Sequence, residues 1–245
     1  MISRLQSKLI YPNIHSNMAV ICREKKLLYL LNPRTGGTAV ANHLMNHFGG
    51  EWIPANNILD ENGSILLQSK HQTLKELYEF NILTYEEVKN YIVFTNVRDP
   101  YDSLISLYEK YRGRYAQWRR EGNYWVNHSG EHILREIDYC SNHSFSEWIF
   151  TRYWKSAVLS VLGIRKFSIH ADYPTGCNKI LRKEHLSADF KSMLLEYKIE
   201  GEPNIEVYNE TETKKEKRTV SYNILTRTLV YLTYRTDFKK YDYPG

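Results

Sequence analysis

Two short apolar stretches of this chain each run into a turn and then into a helical pattern. The first covers residues 26–31 and precedes the turn Asn-Pro-Arg-Thr-Gly-Gly, and the second covers residues 91–97 and precedes Arg-Asp-Pro. Strands that are buried on both faces, as in parallel sheets, have continuous apolar sequences of this kind. We therefore predict an α/β fold in which a central parallel sheet is flanked by helices.

Strand and helix patterns recur to the end of the chain. Threonine or serine followed three residues later by glutamate opens two of the predicted helices, as in a capping box. In chain order we predict helices capped or begun at Thr38, Thr84 and Ser144, a strand at 178–182, and helices from Ser187 and over 222–238. Residues 49–70 and 112–143 look irregular and polar, so we predict insertions there.

Composition limits the class of protein. The 245 residues contain no internal repeat, low-complexity tract or linker, so we predict one domain over residues 1–245. Hydrophobic residues make up 42% and charged residues 25%, which excludes disorder, collagen and coiled coil as descriptions of the whole chain. A formal net charge of +5 suits an anionic ligand, but it is weaker than that of a dedicated nucleic-acid binder.

Cysteine usage and hydropathy predict the compartment. Three widely separated cysteines without a C-x-x-C pattern argue against a disulfide framework and favour a reducing environment. No apolar run approaches the ~20 residues that span a bilayer, and residues 1–20 lack the apolar core of a signal peptide. We expect a cytoplasmic protein without a membrane span.

The first strand-to-helix turn has the chemistry of a phosphate cradle. Gly36 and Gly37 let the backbone approach an anion, the following helix offers unpaired N–H groups, and Arg34, Thr35 and Thr38 add a cation and hydroxyls. The G-x-x-x-x-G-K-[ST] pattern is absent, which counts against ATP or GTP hydrolysis. The alternative is an ordinary glycine turn between a strand and a helix.

The second turn places an arginine and a serine eight residues apart. Arg98 lies at a strand end, and Ser106 lies on the following helix, one turn after Asp102. A guanidinium and a hydroxyl in this arrangement can hold a second phosphate. The alternative is a structural ion pair of Arg98 with Asp102 or Asp99, with Pro100 fixing the start of the helix.

Taken together, the two turns resemble the motifs of sulfotransferases that use 3′-phosphoadenosine 5′-phosphosulfate (PAPS), in the bacterial and carbohydrate branch. In that family a P-K-T-G-G-T-type loop binds the 5′-phosphosulfate, and R-D-P-x-x-R-x-x-S-x-Y binds the 3′-phosphate. Residues 33–38 and 98–108 match these motifs. The resemblance continues at 179–190, which looks like I-L-R-x-E-x-L-x-x-D-F, and in the C-terminal set Tyr234, Asp237, Phe238 and Tyr241.

The resemblance implies a P-loop-NTPase-like sulfotransferase domain that releases the bisphosphate product PAP and uses no metal. It implies nucleotide binding by Arg34, Thr35, Gly36, Gly37, Thr38, Ala39, Arg98, Ser106, Lys214 and Lys215. Arg34 also takes a catalytic position, where it can stabilise charge on the leaving phosphate. The family has a lysine there, and Arg34 cannot donate a proton near neutral pH. A second departure is Ser103, where the family often has arginine.

Transfer to a hydroxyl requires a general base, and His71 is the predicted base. Histidine suits this role near neutral pH, and the resembling glycan enzymes carry a comparable histidine between the two phosphate motifs. Neighbouring Lys70 can lower the pKa of His71 or contact the sulfate. Two further histidine pairs, His43/His47 and His128/His132, have zinc-compatible spacing but lack the glutamate of H-E-x-x-H or contain a glycine between them.

The acceptor is an open question at this stage. Residues 110–125 mix cations with aromatic rings, which suits an acceptor wall or lid for an anionic sugar, single-stranded nucleic acid, or simply a solvated helix face. The resemblance favours a carbohydrate or glycolipid hydroxyl and no nucleic acid. Two other functions are carried as alternatives: a degenerate nucleotide- or glycan-binding module that lost activity through Arg34, and a nucleic-acid binder.

Overall fold

The computed structural model describes residues 19–55, 58–59, 65–67, 73–127, 130–206 and 220–245. The chain divides into two compact units, one formed by Met1–Val97 with Asp172–Asn209 and the other by Arg98–Ala171 with Glu210–Gly245. Each unit therefore combines two separate stretches of sequence. The expectation of one domain over residues 1–245 stays a prediction.

Strands occur in the first unit, and helices occur in both. The described strands are β1 (Ala19–Cys22), β2 (Leu27–Leu30), β3 (Glu51–Ile53), β4 (Ile58–Leu59), β5 (Ile65–Leu67), β6 (Ile92–Val97) and β7 (Lys179–Arg182). The described helices are α1 (Gly37–His47), α2 (Leu74–Glu79), α3 (Tyr85–Val88), α4 (Pro100–Lys110), α5 (Ala116–Arg120), α6 (Tyr124–Asn127), α7 (Glu131–Asn142), α8 (Phe145–Val161), α9 (Leu186–Glu196) and α10 (Ile224–Lys240). A π-helical turn, Tyr111–Tyr115, joins α4 to α5, and a 3₁₀ turn, Lys183–His185, precedes α9.

The first unit is built on a five-stranded sheet with the order β3-β1-β2-β6-β7. β2, β6 and β7 pair in parallel, whereas β1 is antiparallel to both of its neighbours. Only residues 23–26 connect β1 to β2, and a parallel pairing needs a much longer crossover. The predicted α/β fold with a mainly parallel sheet is confirmed, and β1 is the strand that runs the other way.

Both faces of this sheet are covered, which explains the continuous apolar sequences of β1 and β2. Val20 and Cys22 of β1 pack into a cluster with α1 and α9, while Ala19 and Ile21 pack into an opposite cluster with α2 and α3. Because side chains alternate along a strand, every β1 position meets an apolar layer. The sheet edge thereby becomes the place where polar residues of the turns can collect.

The described part of the second unit is helical, with a core rich in aromatic residues. Tyr108 of α4, Trp148 of α8 and Phe238 of α10 are buried in one cluster. The Tyr108 hydroxyl donates to the carbonyl oxygen of His143 at 2.7 Å, so this buried phenol has a hydrogen-bond acceptor. None of the helices that the structure describes combines the length and apolarity that crossing a bilayer requires.

Two of the predicted irregular segments contain regular structure. The prediction for 112–143 is wrong, because the π turn, α5, α6 and α7 occupy most of it. α7 buries only Ile137 and Cys140, so its sequence is mostly polar although it is helical. Residues 49–70 include the short strands β3, β4 and β5.

The helix boundaries confirm some predicted caps and correct others. The capping boxes at Thr84 and Ser144 are present, each hydroxyl accepting a backbone N–H three residues on at 3.3 Å. Thr38 does not cap α1, because Gly36 is its N-cap and Thr38 lies inside the helix. α9 begins at Leu186, one residue before the predicted Ser187.

Candidate active site

The first turn connects the end of β2 to the start of α1 through two left-handed residues. Arg34 has a φ of 68°, which is uncommon for a residue with a Cβ, and Gly36 has a φ of 83° as the N-cap. Left-handed residues beside a helix N-terminus are features of anion-binding turns, where backbone N–H groups converge. The turn therefore has the backbone form that its sequence predicts.

A network of buried amides holds this turn against β6. The Asn32 side chain donates to the Asn96 carbonyl at 2.9 Å, and the Asn96 side chain donates to the Thr35 carbonyl at 2.8 Å. The Tyr29 hydroxyl donates to the side-chain oxygen of Asn96. All four residues are buried, so these hydrogen bonds satisfy groups that would otherwise be costly to desolvate. Sequence reasoning missed Tyr29 and Asn96.

The two positions of the turn require glycine for different physical reasons. Gly36 adopts the left-handed backbone that other residues avoid. A Cβ on Gly37 would lie 2.9 Å from Leu31 Cγ and from the Tyr29 hydroxyl, so Gly37 lets α1 approach β2 closely. Gly37 thus has a packing role that the phosphate-cradle argument did not anticipate.

The other residues predicted in this turn differ in their exposure. Thr38 is exposed on the first turn of α1, whereas Thr35 and Ala39 are buried. The Thr35 hydroxyl donates to the Asn32 carbonyl at 2.8 Å and thereby closes the turn. Arg34 is half-buried. The nucleotide-binding roles of these residues stay predictions.

Lys183 lies against the same turn, although its sequence motif gave no reason to select it. Its Cγ and Cδ are 3.6 and 3.9 Å from the position of a Cβ on Gly36. The residue follows β7, and the carboxyl ends of parallel strands meet at one edge of a sheet, where ligands bind. Asp189 fixes this segment by accepting the Arg182 backbone N–H at 2.7 Å. Lys183 therefore adds an ammonium group to the surroundings of Gly36.

The second turn begins directly after β6. Asp99 is the N-cap of α4, and its carboxylate accepts the Asp102 backbone N–H at 3.0 Å. Arg98 is buried, and its guanidinium lies 3.6 Å from the Asp102 carboxylate. The structural ion pair that we considered as an alternative is thus present. Its 3.6 Å separation is longer than a hydrogen bond, and a doubly charged phosphate would compete with Asp102 for Arg98.

Ser106 lies one helical turn after Asp102 on α4 and is half-buried. The spacing of Arg98, Asp102 and Ser106 by four residues places them along one side of the helix and its entrance. Ser103, at the position where the family often has arginine, is buried. Arg98 and Ser106 as ligands of the 3′-phosphate stay predictions.

A buried histidine supports the backbone of Arg98. His170 donates a ring N–H to the Arg98 carbonyl, and its ring meets the edge of Tyr241 at 5.5 Å. The adjacent Ile169 N–H donates to the Asp237 carboxylate at 2.7 Å. Two members of the C-terminal motif, Asp237 and Tyr241, therefore anchor the segment that contacts Arg98. Sequence reasoning missed His170, since this contact joins residues far apart in the chain.

The aromatic and basic residues after α4 form one surface on the π turn and α5. The Lys110 ammonium lies 4.5 Å from the Tyr115 ring centre, and the Arg114 guanidinium lies 5.1 Å from the Trp118 ring centre. The Tyr115 and Trp118 rings stack at 5.8 Å. π turns are frequent at functional sites. Tyr115 and Trp118 also pack against the aromatic core of the second unit, so the predicted acceptor surface and the alternative of a solvated helix face both stay predictions.

Several predicted residues lie outside the described residues. They are His71, Lys70, Lys214, Lys215 and His128. His43 is buried, and its Nε2 lies 2.8 Å from the Glu202 carbonyl oxygen, which is a structural arrangement. Across the ranges that the structure describes, no cluster of three histidine, cysteine, aspartate or glutamate side chains could hold a metal ion.

The sheet and its first turn define an α/β protein with a left-handed, glycine-containing turn between β2 and the N-terminus of α1. A family model described as Sulfotransferase family matches residues 17–244. The chain belongs to the Sulfotransferase family, and the predicted resemblance to this family is confirmed. Comparisons with curated proteins and with solved structures found no significant match.

The burial of His170 predicts an acid-sensitive fold. Burial, with a smaller contribution from nearby Lys240, lowers the pKa of His170 to about 4, although the hydrogen bond to the Arg98 carbonyl acts in the opposite direction. The unfolded chain binds this proton from about pH 6.5 downward, so folding stability falls as the pH drops from about 6.5 towards 4. Asp237 acts in the opposite direction, because burial raises the pKa of its carboxyl group.

Urea unfolding near neutral pH and at pH ~5 tests this expectation. The free energy of unfolding of His170→Gln should change less between the two conditions than that of the wild type. The exposed His185→Gln is the matched control and should behave as wild type. An equal loss of stability in wild type and His170→Gln would contradict the assignment.

Proposed function

We propose that this chain transfers a sulfuryl group from PAPS to an acceptor hydroxyl. Membership of the Sulfotransferase family supports sulfuryl transfer, and the resembling motifs support PAPS as the donor. The observation that carries the proposal is the first turn, where a left-handed backbone, the N-terminus of α1 and two cations lie together. PAPS would supply the sulfuryl group on a phosphate that leaves easily.

Each turn has its own role in this proposal. The backbone of residues 34–39, with Arg34, binds the 5′-phosphosulfate, and Arg98 with Ser106 binds the 3′-phosphate. His71 removes the proton of the acceptor hydroxyl. The hydroxyl oxygen then forms the new bond to sulfur as the bond between sulfur and the bridging oxygen breaks, and PAP leaves. Lys214 and Lys215 remain proposed nucleotide ligands. The cytoplasmic location remains a prediction.

Lys183 accounts for the chemistry that Arg34 does not supply. Arginine stabilises charge but holds its proton, whereas an ammonium is a compact charge whose proton can be shared with the leaving oxygen. Lys183 is half-buried and packs its stem over Gly36. We therefore assign Lys183 the charge stabilisation at the bridging oxygen, which makes a degenerate, inactive module the weaker alternative.

The acceptor is proposed to be a carbohydrate or glycolipid. The surface formed by Lys110, Arg114, Tyr115 and Trp118 offers flat rings for sugar stacking and cations for anionic substituents. Arg119 contributes less charge to this surface, because it pairs with Asp138 of α7. The same chemistry suits a single-stranded nucleic acid, but no described feature selects bases over sugars.

Thermal denaturation with nucleotides tests the donor site. PAP should raise the melting temperature by about 2–4 °C for each kcal/mol by which its binding increases the free energy of unfolding, and ATP or AMP should raise it much less. AMP is the matched ligand because it lacks only the 3′-phosphate. Ser106→Ala should reduce the difference between the melting-temperature rises that PAP and AMP cause, whereas Ser156→Ala on α8 should leave that difference unchanged. PAPS would be contradicted as the donor if PAP and ATP stabilised the protein equally, or if neither of them stabilised it.

Substitution of Lys183 tests the leaving-group role. Lys183→Met should lower the rate of PAP formation from PAPS by roughly 100-fold with an acceptor panel, because one preorganised charge is lost. Lys183→Arg should lose most of this activity too, while the exposed Lys191→Met on α9 serves as the control. Unchanged activity of Lys183→Met would remove Lys183 from the reaction.

A second substitution distinguishes the proposed role of Lys183 from the alternative of an inactive module that lost activity through Arg34. If Lys183 provides the ammonium, Arg34→Lys should restore activity to Lys183→Met and add little to the wild type. A wild type without activity that gains it through Arg34→Lys would favour a degenerate module.

The proposed base is tested by His71→Ala. This variant should lose transfer to the acceptor while PAP still raises its melting temperature, because the base does not hold the nucleotide. His132→Ala, an exposed histidine at the start of α7, is the control and should keep full activity. Normal turnover of His71→Ala would exclude it as the base.

A further inference from the structure

The outer face of α8 carries a continuous row of exposed apolar side chains. Phe150, Trp154, Val158 and Val161 follow one another at four-, four- and three-residue intervals, so they lie on one side of the helix. Their exposed fractions are 48%, 42%, 49% and 50%. Leu162, the C-cap, is 65% exposed and extends the row. We call these five residues the α8 face.

The opposite side of α8 is apolar as well. Phe145, Trp148 and Ile149 are buried in the aromatic core of the second unit, and Ala157 is buried as well. A helix on the surface of a soluble protein normally shows polar residues to water, so α8 departs from the usual pattern. Single exposed apolar residues, such as Leu195 on α9, are ordinary, but a row of five along one helix marks a binding surface.

Most of the charged residues beside the α8 face are basic. Residues 148–171 contain no aspartate or glutamate, while Lys155, Arg165 and Lys166 are exposed. Lys155 lies over the Trp154 ring at 5.4 Å, so a cation and an indole share one edge of the face. The exception is Glu147 at the start of α8, an exposed acid three residues before Phe150 whose carboxylate accepts hydrogen bonds from Ser144 in the capping box.

These charges discriminate between occupants of the face. In a pair of identical chains, the lysines and the arginine of one copy would find few acids around the face of the other, and like charges would repel. The surface of a membrane with anionic lipids satisfies both properties, since phosphates attract the cations and the headgroup region accepts the apolar side chains. Tryptophan is favoured at this depth.

We propose that the α8 face binds peripherally to membranes that contain anionic lipids. α8 has 17 residues and a length of about 25 Å, so it lies along the surface with its apolar row at the level of the headgroups. Lys155, Arg165 and Lys166 contact lipid phosphates. This proposal rests on the second unit alone and does not depend on sulfuryl transfer.

Sedimentation with lipid vesicles tests the proposal. The full chain should bind vesicles of phosphatidylcholine with phosphatidylglycerol several-fold more tightly than vesicles of phosphatidylcholine alone. Trp154→Ser with Val158→Ser should lower binding to the mixed vesicles by at least ~10-fold, because apolar area is lost. Lys155→Gln with Lys166→Gln should lower it by roughly fivefold for each lysine and should reduce its salt dependence.

Leu195→Ser is the matched control, because Leu195 is 71% exposed and lies on α9 of the other unit. It should bind vesicles as the wild type does. Each variant replaces an exposed side chain, so unchanged melting temperatures and an unchanged response to PAP would show that the fold and nucleotide site are intact. If PAP did not raise the melting temperature of the wild type, that result would contradict the proposed function but not the proposed membrane binding.

Three results would overturn the proposal. The first is absence of binding to both kinds of vesicle, and the second is equal binding to vesicles with and without anionic lipid. The third is a dimer of the wild type that Trp154→Ser converts to monomer without any vesicle binding, which would make the α8 face a contact between two copies.

Discussion

The buried side chain of Asn96 is the interaction on which the candidate site depends. It accepts from Tyr29 and donates to the Thr35 carbonyl at 2.8 Å, and its own carbonyl accepts from Asn32. These hydrogen bonds connect three neighbouring segments through Asn96: β2, the first turn and β6. Since a buried polar group without a partner costs about 1–3 kcal/mol, this network specifies one conformation of the turn. The left-handed backbone of Arg34 is held within that frame.

The sequence predicts the parts of the fold that follow from local pattern. Residues 26–31 and 91–97 predicted β2 and β6 because strands that are covered on both faces need mostly apolar and β-branched side chains; Asn96 is a buried polar exception. The capping boxes of Thr84 and Ser144 predicted the start of α3 and α8, since a pattern of four residues is enough to recognise them. The helix α7 was missed because only Ile137 and Cys140 are buried against the core and most of its other positions are polar.

The candidate site divides in the same way. Gly36 and Arg34 were selected because a turn between a strand and a helix has a local sequence signature, and Arg98 was selected from its motif; their roles in binding stay predictions. Lys183, Asn96 and His170 were not, because each acts through contacts with residues that are distant in sequence. Such contacts depend on how β6 and β7 pair and on where the C-terminal helix lies, and a single sequence shows neither. The pair Arg98–Asp102, in contrast, could be foreseen from its spacing alone.

The π turn at Tyr111–Tyr115 has a consequence for the helix that it interrupts. A π turn holds one residue more than an α turn, so the residues that follow are rotated by about 100° relative to an unbroken helix. Trp118 and the arginines of α5 owe their direction to that one additional residue. The length of the chain between Tyr108 and Trp118, and not only its composition, therefore determines which side chains this surface presents. A homologue that lacks a single residue here would display a different face while retaining the same fold.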